Sequence, residues 1–152
     1  MSPRSDNEVS LRDRALRILA RREHSRTELA AKLARYCEDS AEIDTLLATL
    51  CEEGWLSDNR YAEQMVRHRN GQFGTRRIRQ ELREKGVASE IIDAELNAVM
   101  HDDLAVARAL WQRKFGQLPD SDKEKARQVR FLQSRGFGYD VILKILRNLE
   151  DE

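Results

Sequence analysis

The chain has 152 residues, of which 40% are apolar and 36% charged, and its 27 Lys and Arg balance its 27 Asp and Glu. That length supports one domain or a row of small ones, and the zero net charge argues against a simple nucleic-acid sponge. Two cysteines, no apolar run of membrane-spanning length and a polar start (MSPRSDNEVS) give no disulfide framework, no membrane span and no secretory signal. A cytoplasmic protein with free, buried Cys37 and Cys51 is expected.

With only two prolines and seven glycines, the chain has few breakers and reads as helix throughout. The first helix spans about Leu11 to Arg22, with Leu11, Ala15, Ile18 and Leu19 on one face and Arg14, Arg17 and Arg21 on another. Ser25 to Glu28 forms a capping box for the second, which buries Leu29 and Leu33. The third starts near Ser40, buries Ile43, Leu47 and Leu50, and stops at Gly54.

Asp58 is expected to cap the fourth helix, which carries Tyr61, Ala62 and Val66 and breaks at Asn70 and Gly71. Thr75 caps the fifth, with Ile78 and Leu82 inward and Gly86 as its stop; Ser89 caps the sixth, with Ile92, Leu96 and Val99. The last three run from about Asp103 to Phe115, Asp122 to Arg135 and Tyr139 to Leu149, with Gly136 between the final two. Trp55 and Trp111 are expected to pack between helices.

An internal repeat underlies this order. At a shift of 50, Leu82, Lys85, Gly86, Val87, Ile92 and Leu96 fall on Leu132, Arg135, Gly136, Phe137, Ile142 and Leu146. At a shift of 49, Leu33, Ile43 and Leu47 fall on Leu82, Ile92 and Leu96, although Tyr36 and Cys37 stand where a glycine is expected. The fold class is therefore all-α: three tandem three-helix, helix-turn-helix-like repeats in an extended, curved array. The expected divisions are a tail over 1–9 and repeats over 10–57, 58–101 and 102–152.

Charge alternates along the repeats. Residues 67–85 hold seven basic and two acidic groups, whereas residues 89–103 hold five acidic and no Lys or Arg. On the fifth helix Arg76, Arg79 and Arg83 share a face within roughly 60°, at about 100° per residue. Lys123, Arg127 and Arg130 form a similar stripe on the eighth. Arginine rows with no acid on the same helix face suit phosphates or carboxylates. Arg77, Glu81, Glu84 and Lys85 read instead as i, i+4 pairs on a solvated surface.

Catalytic machinery is not legible. No glycine cluster takes the Walker form, and His24, His68 and His101 lack metal-ligand spacing. Catalytic, cofactor and metal residues are expected to be none.

Three stretches together resemble the RecX family. They are Gly54-Trp55-Leu56-Ser57-Asp58-Asn59-Arg60-Tyr61-Ala62, the run from Gly74 to Val87 (GTRRIRQELREKGV), and Arg130-Phe131-Leu132-Gln133-Ser134-Arg135-Gly136-Phe137. The segment from Ala15 to Leu29 also fits, so the likeness covers roughly residues 10–150. The resemblance implies a small non-enzymatic regulator that sits in the groove of the RecA filament on single-stranded DNA. There it would inhibit ATP hydrolysis, strand exchange and co-protease activity and so modulate DNA repair and recombination, with some direct DNA binding. It makes Arg76, Arg77, Arg79, Arg83, Lys85, Arg130 and Arg135 contact candidates, beside Lys123 and Arg127 from the helical stripe. A monomer is expected. The competing readings are a helix-turn-helix-like DNA-binding protein without RecA specificity and a helical adaptor anchored by an exposed tryptophan.

Overall fold

A computed structural model describes residues 9–99 and 101–150, with side chains through Arg147. Among the described residues the elements are α1 (Leu11–Arg21), α2 (Arg26–Leu33), α3 (Ser40–Glu52), α4 (Asp58–Arg69), α5 (Thr75–Glu84), α6 (Ser89–Ala98), α7 (Asp103–Lys114), α8 (Asp122–Ser134) and α9 (Tyr139–Glu150). None of these helices is long and apolar enough to cross a membrane. Most of the expected tail and the side chain of Leu149 lie outside the described residues.

Each trio of helices closes over its own core. The first buries Ala15, Leu29, Leu33, Ile43, Leu47, Leu50 and Leu56. The second is built on Tyr61, Ala62, Val66, Ile78, Leu82, Ile92 and Leu96, and the third on Ala107, Trp111, Leu132, Phe137, Ile142, Ile145 and Leu146. The positions related by the sequence repeat are the buried ones: Leu33, Leu82 and Leu132 are all fully buried, as are Ile92 and Ile142, while Ile43 is nearly so. Short helices of 8 to 13 residues hold little stability alone, so the apolar faces stabilise them by packing.

Two glycines terminate the second helices of repeats 2 and 3. Gly86 and Gly136 have φ of 78° and 94°, and the following amides turn back, Val87 N–H to Leu82 C=O at 3.0 Å and Phe137 N–H to Leu132 C=O at 3.2 Å. This closure drops Val87 and Phe137 into their cores, as the hydrophobic contact of a glycine C-cap requires.

Several local expectations are corrected. Ser57, not Asp58, caps α4, accepting from Arg60 N–H at 3.1 Å. Thr75 is the first residue of α5, whose cap position is Gly74, and Ala88 rather than Ser89 precedes α6. Trp111 is buried and donates through Nε1 to Gln128 Oε1 at 2.9 Å, but Trp55 is 55% exposed because Leu56 fills the core after the Gly54 turn. Cys37 and Cys51 are free but only partly buried.

Candidate binding surface along the second helices

The second helix of each of the first two repeats is clasped by the repeat that follows. In α2 the N–H of Arg26 donates to Asp58 Oδ1 at 2.7 Å, and in α5 the N–H of Thr75 donates to Asp103 Oδ1 at 2.8 Å. Each acceptor is the first residue of the next repeat's first helix. A helix start leaves amides without partners, and a carboxylate from the neighbouring unit satisfies one while favouring that end of the dipole.

The glycine turns complete the clasp. Gly86 lies against Thr27, where an added Cβ would come within 2.7 Å of the Thr27 Cβ. Gly136 lies against Arg77, with an added Cβ 2.7 Å from the Arg77 amide nitrogen. At this second junction the backbones also pair: Gly74 N–H donates to Arg135 C=O at 2.7 Å and Arg76 N–H to Gly136 C=O at 3.3 Å.

Asp103 has further partners. It accepts from the Thr75 hydroxyl at 2.9 Å and lies 2.9 Å from His101 Nε2. Burial alone would raise its pKa, but the hydrogen bonds from His101 and Thr75 outweigh burial and hold it below the ordinary 3.8.

These contacts shape a groove of about 640 Å³ between α5 and the α8–α9 turn. Arg76, Arg77 and Gln80 line one side, Gln133 and the half-exposed Tyr139 the other, with Glu81, Glu84 and Asp140 among the walls. Mixed charge makes it a place for a protein surface as well as for an anion.

The sequence candidates divide into two groups. Arg77 donates to Ser134 C=O at 3.0 Å, reaches Glu81 at 3.5 Å and sits 4.2 Å over the Phe73 ring; Arg135 also faces that ring, at 5.4 Å. Arg79 pairs with Asp93 of α6 at 2.6 Å, so the arginine row of α5 does have an acidic neighbour, on the next helix. The expected Glu81–Lys85 pair is replaced: Glu81 pairs with Arg69 at 3.1 Å, and Lys85 reaches back to Glu28 at 3.7 Å. Arg127 lies 3.4 Å from Glu124. Arg76, Arg83, Lys123 and Arg130 are exposed and make no ion pair among the described residues. The groove brings Arg76 and Arg77 together, whereas Lys123 stands ten residues before Gln133, about 15 Å away along α8 at 1.5 Å per residue.

The structure adds a cluster that the candidate set lacks. Arg14, Arg17 and Arg21 of α1 converge with Arg22, Lys32 and Tyr36 on a cavity of about 490 Å³. Only the α1 arginine face was legible beforehand; the rest is assembled by the α1–α2 turn.

The geometry defines a helical-repeat protein of three three-helix units. Family descriptions match it repeat by repeat: the first, second and third three-helix domains of RecX match residues 12–50, 57–96 and 101–146. The Regulatory protein RecX of Leptothrix cholodnii is 48% identical, over 95% of this chain and 92% of its own length. That of Halorhodospira halophila is 49% identical, over 88% and 84%. The crystal structure of RecX from Lactobacillus salivarius superposes with a TM-score of 0.75 at 22% identity, covering 93% of this chain and 96% of that one. The fold is thus that of a repeat protein whose relatives are named as regulators. The chain belongs to the RecX family.

Proposed function

We propose that the chain binds the RecA filament on single-stranded DNA and lowers its ATP hydrolysis, strand exchange and co-protease activity. The observation that carries this reading is the clasp repeated at both junctions, Arg26 to Asp58 and Thr75 to Asp103. It turns three small units into a row with fixed spacing, and a row of that kind matches a partner whose own subunits repeat.

The unpaired cations supply the attraction. Arg76 and Arg83 on α5 and Lys123 and Arg130 on α8 are exposed and make no direct ion pair among the described residues. Seated across neighbouring subunits, the row would hold them in one arrangement and oppose the motion that hydrolysis needs. The domain divisions at 57/58 and 101/102 belong to this proposal, since they set the units that would contact successive subunits.

The test is RecA ATP hydrolysis on single-stranded DNA with this protein titrated below the RecA concentration. Inhibition at such amounts is expected, and the Arg76→Glu/Arg83→Glu double variant is expected to need about tenfold more protein, the equivalent of about 1.4 kcal/mol. No inhibition by the parent, together with binding to bare DNA, would replace this reading with the DNA-binding alternative.

A further inference from the structure

Repeat 1 holds a cationic cavity that differs from the junction groove in having no carboxylate in its wall. Arg14, Arg17 and Arg21 sit at i, i+3 and i+7 on α1, so their like charges repel along one helix face. None of the three makes an ion pair among the described residues, although Asp13 stands one turn before Arg17. On the same helix Arg12 is matched by Glu53, with both guanidinium nitrogens at 2.7 Å from the carboxylate. Arg22, also in the wall, is held by Glu28 at 2.6 Å, whereas Arg14, Arg17 and Arg21 face the cavity without such a partner among the described residues.

Lys32 is held there without being neutralised. Its Nζ lies 2.7 Å from Nε2 of His24, a fully buried imidazole whose Nδ1 lies 3.0 Å from the Arg22 carbonyl oxygen. A carbonyl only accepts, so Nδ1 carries the proton and Nε2 accepts from the ammonium. Burial lowers the His24 pKa, more than its backbone bond to Arg22 raises it, in keeping with a neutral ring. A neutral acceptor aims the ammonium and leaves its charge available.

At the rim stands Tyr36, 57% exposed, with the Arg14 guanidinium 3.8 Å from its ring centroid. A half-exposed ring paired with a planar cation is a stacking platform. Ile18 is the one aliphatic residue lining the cavity, too little to anchor the apolar face of a peptide helix.

We propose that this cavity is a binding site for single-stranded nucleic acid, with Arg17, Arg21 and Lys32 on the phosphates and a base stacked at Tyr36 and Arg14. An unpaired strand is the form that frees a base to stack while its phosphate stays within reach. What this adds is the place and the residues: a strand site on the first repeat, apart from the junction between the second and third, in a cavity that no contact candidate from the sequence lines.

The experiment is fluorescence anisotropy of a labelled oligothymidylate titrated with the full chain over a salt series, with no RecA present. The Arg17→Glu/Arg21→Glu variant should bind more weakly, and the slope of log affinity on log salt should fall by about one to two, one step for each lost phosphate contact. Tyr36→Ala should weaken binding roughly tenfold, within the range for one stacked base, while Tyr36→Phe keeps it. The milder Arg17→Gln/Arg21→Gln pair should move in the same direction, with circular dichroism checking that the helices persist. Arg113→Glu, the same charge reversal on an exposed residue of α7, should bind like the parent. The proposal is overturned if the cavity variants bind like the parent, if Arg113→Glu loses as much, or if polyglutamate displaces the parent as well as unlabelled oligonucleotide does. The last result would assign the cavity to an acidic protein surface.

Discussion

Between repeats 1 and 2 the chain is joined largely through charge: Glu23 to Arg60 at 2.9 Å, Glu28 to Lys85 at 3.7 Å, and Asp58 on the Arg26 amide. Between repeats 2 and 3 it is joined more through backbone, with two amide–carbonyl bonds, the Arg77 bond to the Ser134 carbonyl and a partly buried Asp103–Thr75 pair. Both junctions follow one plan, an acid on a helix start and a glycine turn against that helix. The first relies mostly on side-chain charge that water and salt reach; the second adds backbone amide–carbonyl bonds, which do not titrate, to its one carboxylate. Repeat 1 should therefore be the more loosely held unit, and the second junction the stiffer one.

The largest test of this contrast is Gly136→Ala. It combines a left-handed φ of 94° with a Cβ 2.7 Å from the Arg77 backbone nitrogen, so neither side has a flexible end to move. A loss of about 4 kcal/mol is expected, strain added to overpacking, read by chemical denaturation. Gly86→Ala meets only the Thr27 side chain at the other junction and should cost about half as much, with Thr27→Gly recovering part of it. Equal losses at the two glycines would break the comparison.

Next in size, Asp103→Ala leaves the Thr75 amide and hydroxyl without their acceptor and should cost about 2 kcal/mol, against about 1 kcal/mol for Asp58→Ala at the more exposed junction. Thermal melts of the two variants decide the order.

Acid separates the junctions further. His24 has its pKa lowered by burial from 6.5, so the folded form resists protonation and repeat 1 starts to lose stability as pH falls below that value. Asp103 has its pKa lowered from 3.8; its contribution is present above that pH and is lost only as pH falls through the lower folded value. Hydrogen exchange followed against pH should show repeat 1 opening first. Opening of repeat 3 in mild acid, ahead of repeat 1, would contradict this.

The smallest effect belongs to Arg60→Ala. Its partly exposed pair with Glu23 should be worth less than about 1 kcal/mol and should fade in high salt. Denaturation midpoints at low and high salt measure it.

What the sequence revealed follows from distance along the chain. The three cores and the Gly86 and Gly136 stops were legible because apolar spacing and glycine turns are local signals. Thr75 and Asp58 were read as caps because their residue types favour that role, yet both face across a junction. The sequence carries no sign of that until the next repeat is in place. Arg79 looked unpaired because Asp93 lies on another helix, and Arg135 looked free because its stacking on Phe73 is tertiary; Arg77 keeps the Glu81 partner read from the sequence, but its bond to the Ser134 carbonyl crosses the junction. Of the α1 cavity, the arginine face could be read, but not the contribution of Lys32 and Tyr36 from the next helix and its end.

The clasp has a consequence for assembly. Its inserted half consists of the acid that opens a first helix and the glycine that closes a second, Asp58 with Gly86 and Asp103 with Gly136. Repeat 1 has neither: α1 opens on Leu11, and α2 runs into Tyr36 and Cys37. Among the described residues, the first repeat of a second copy thus offers neither group to the start of α8.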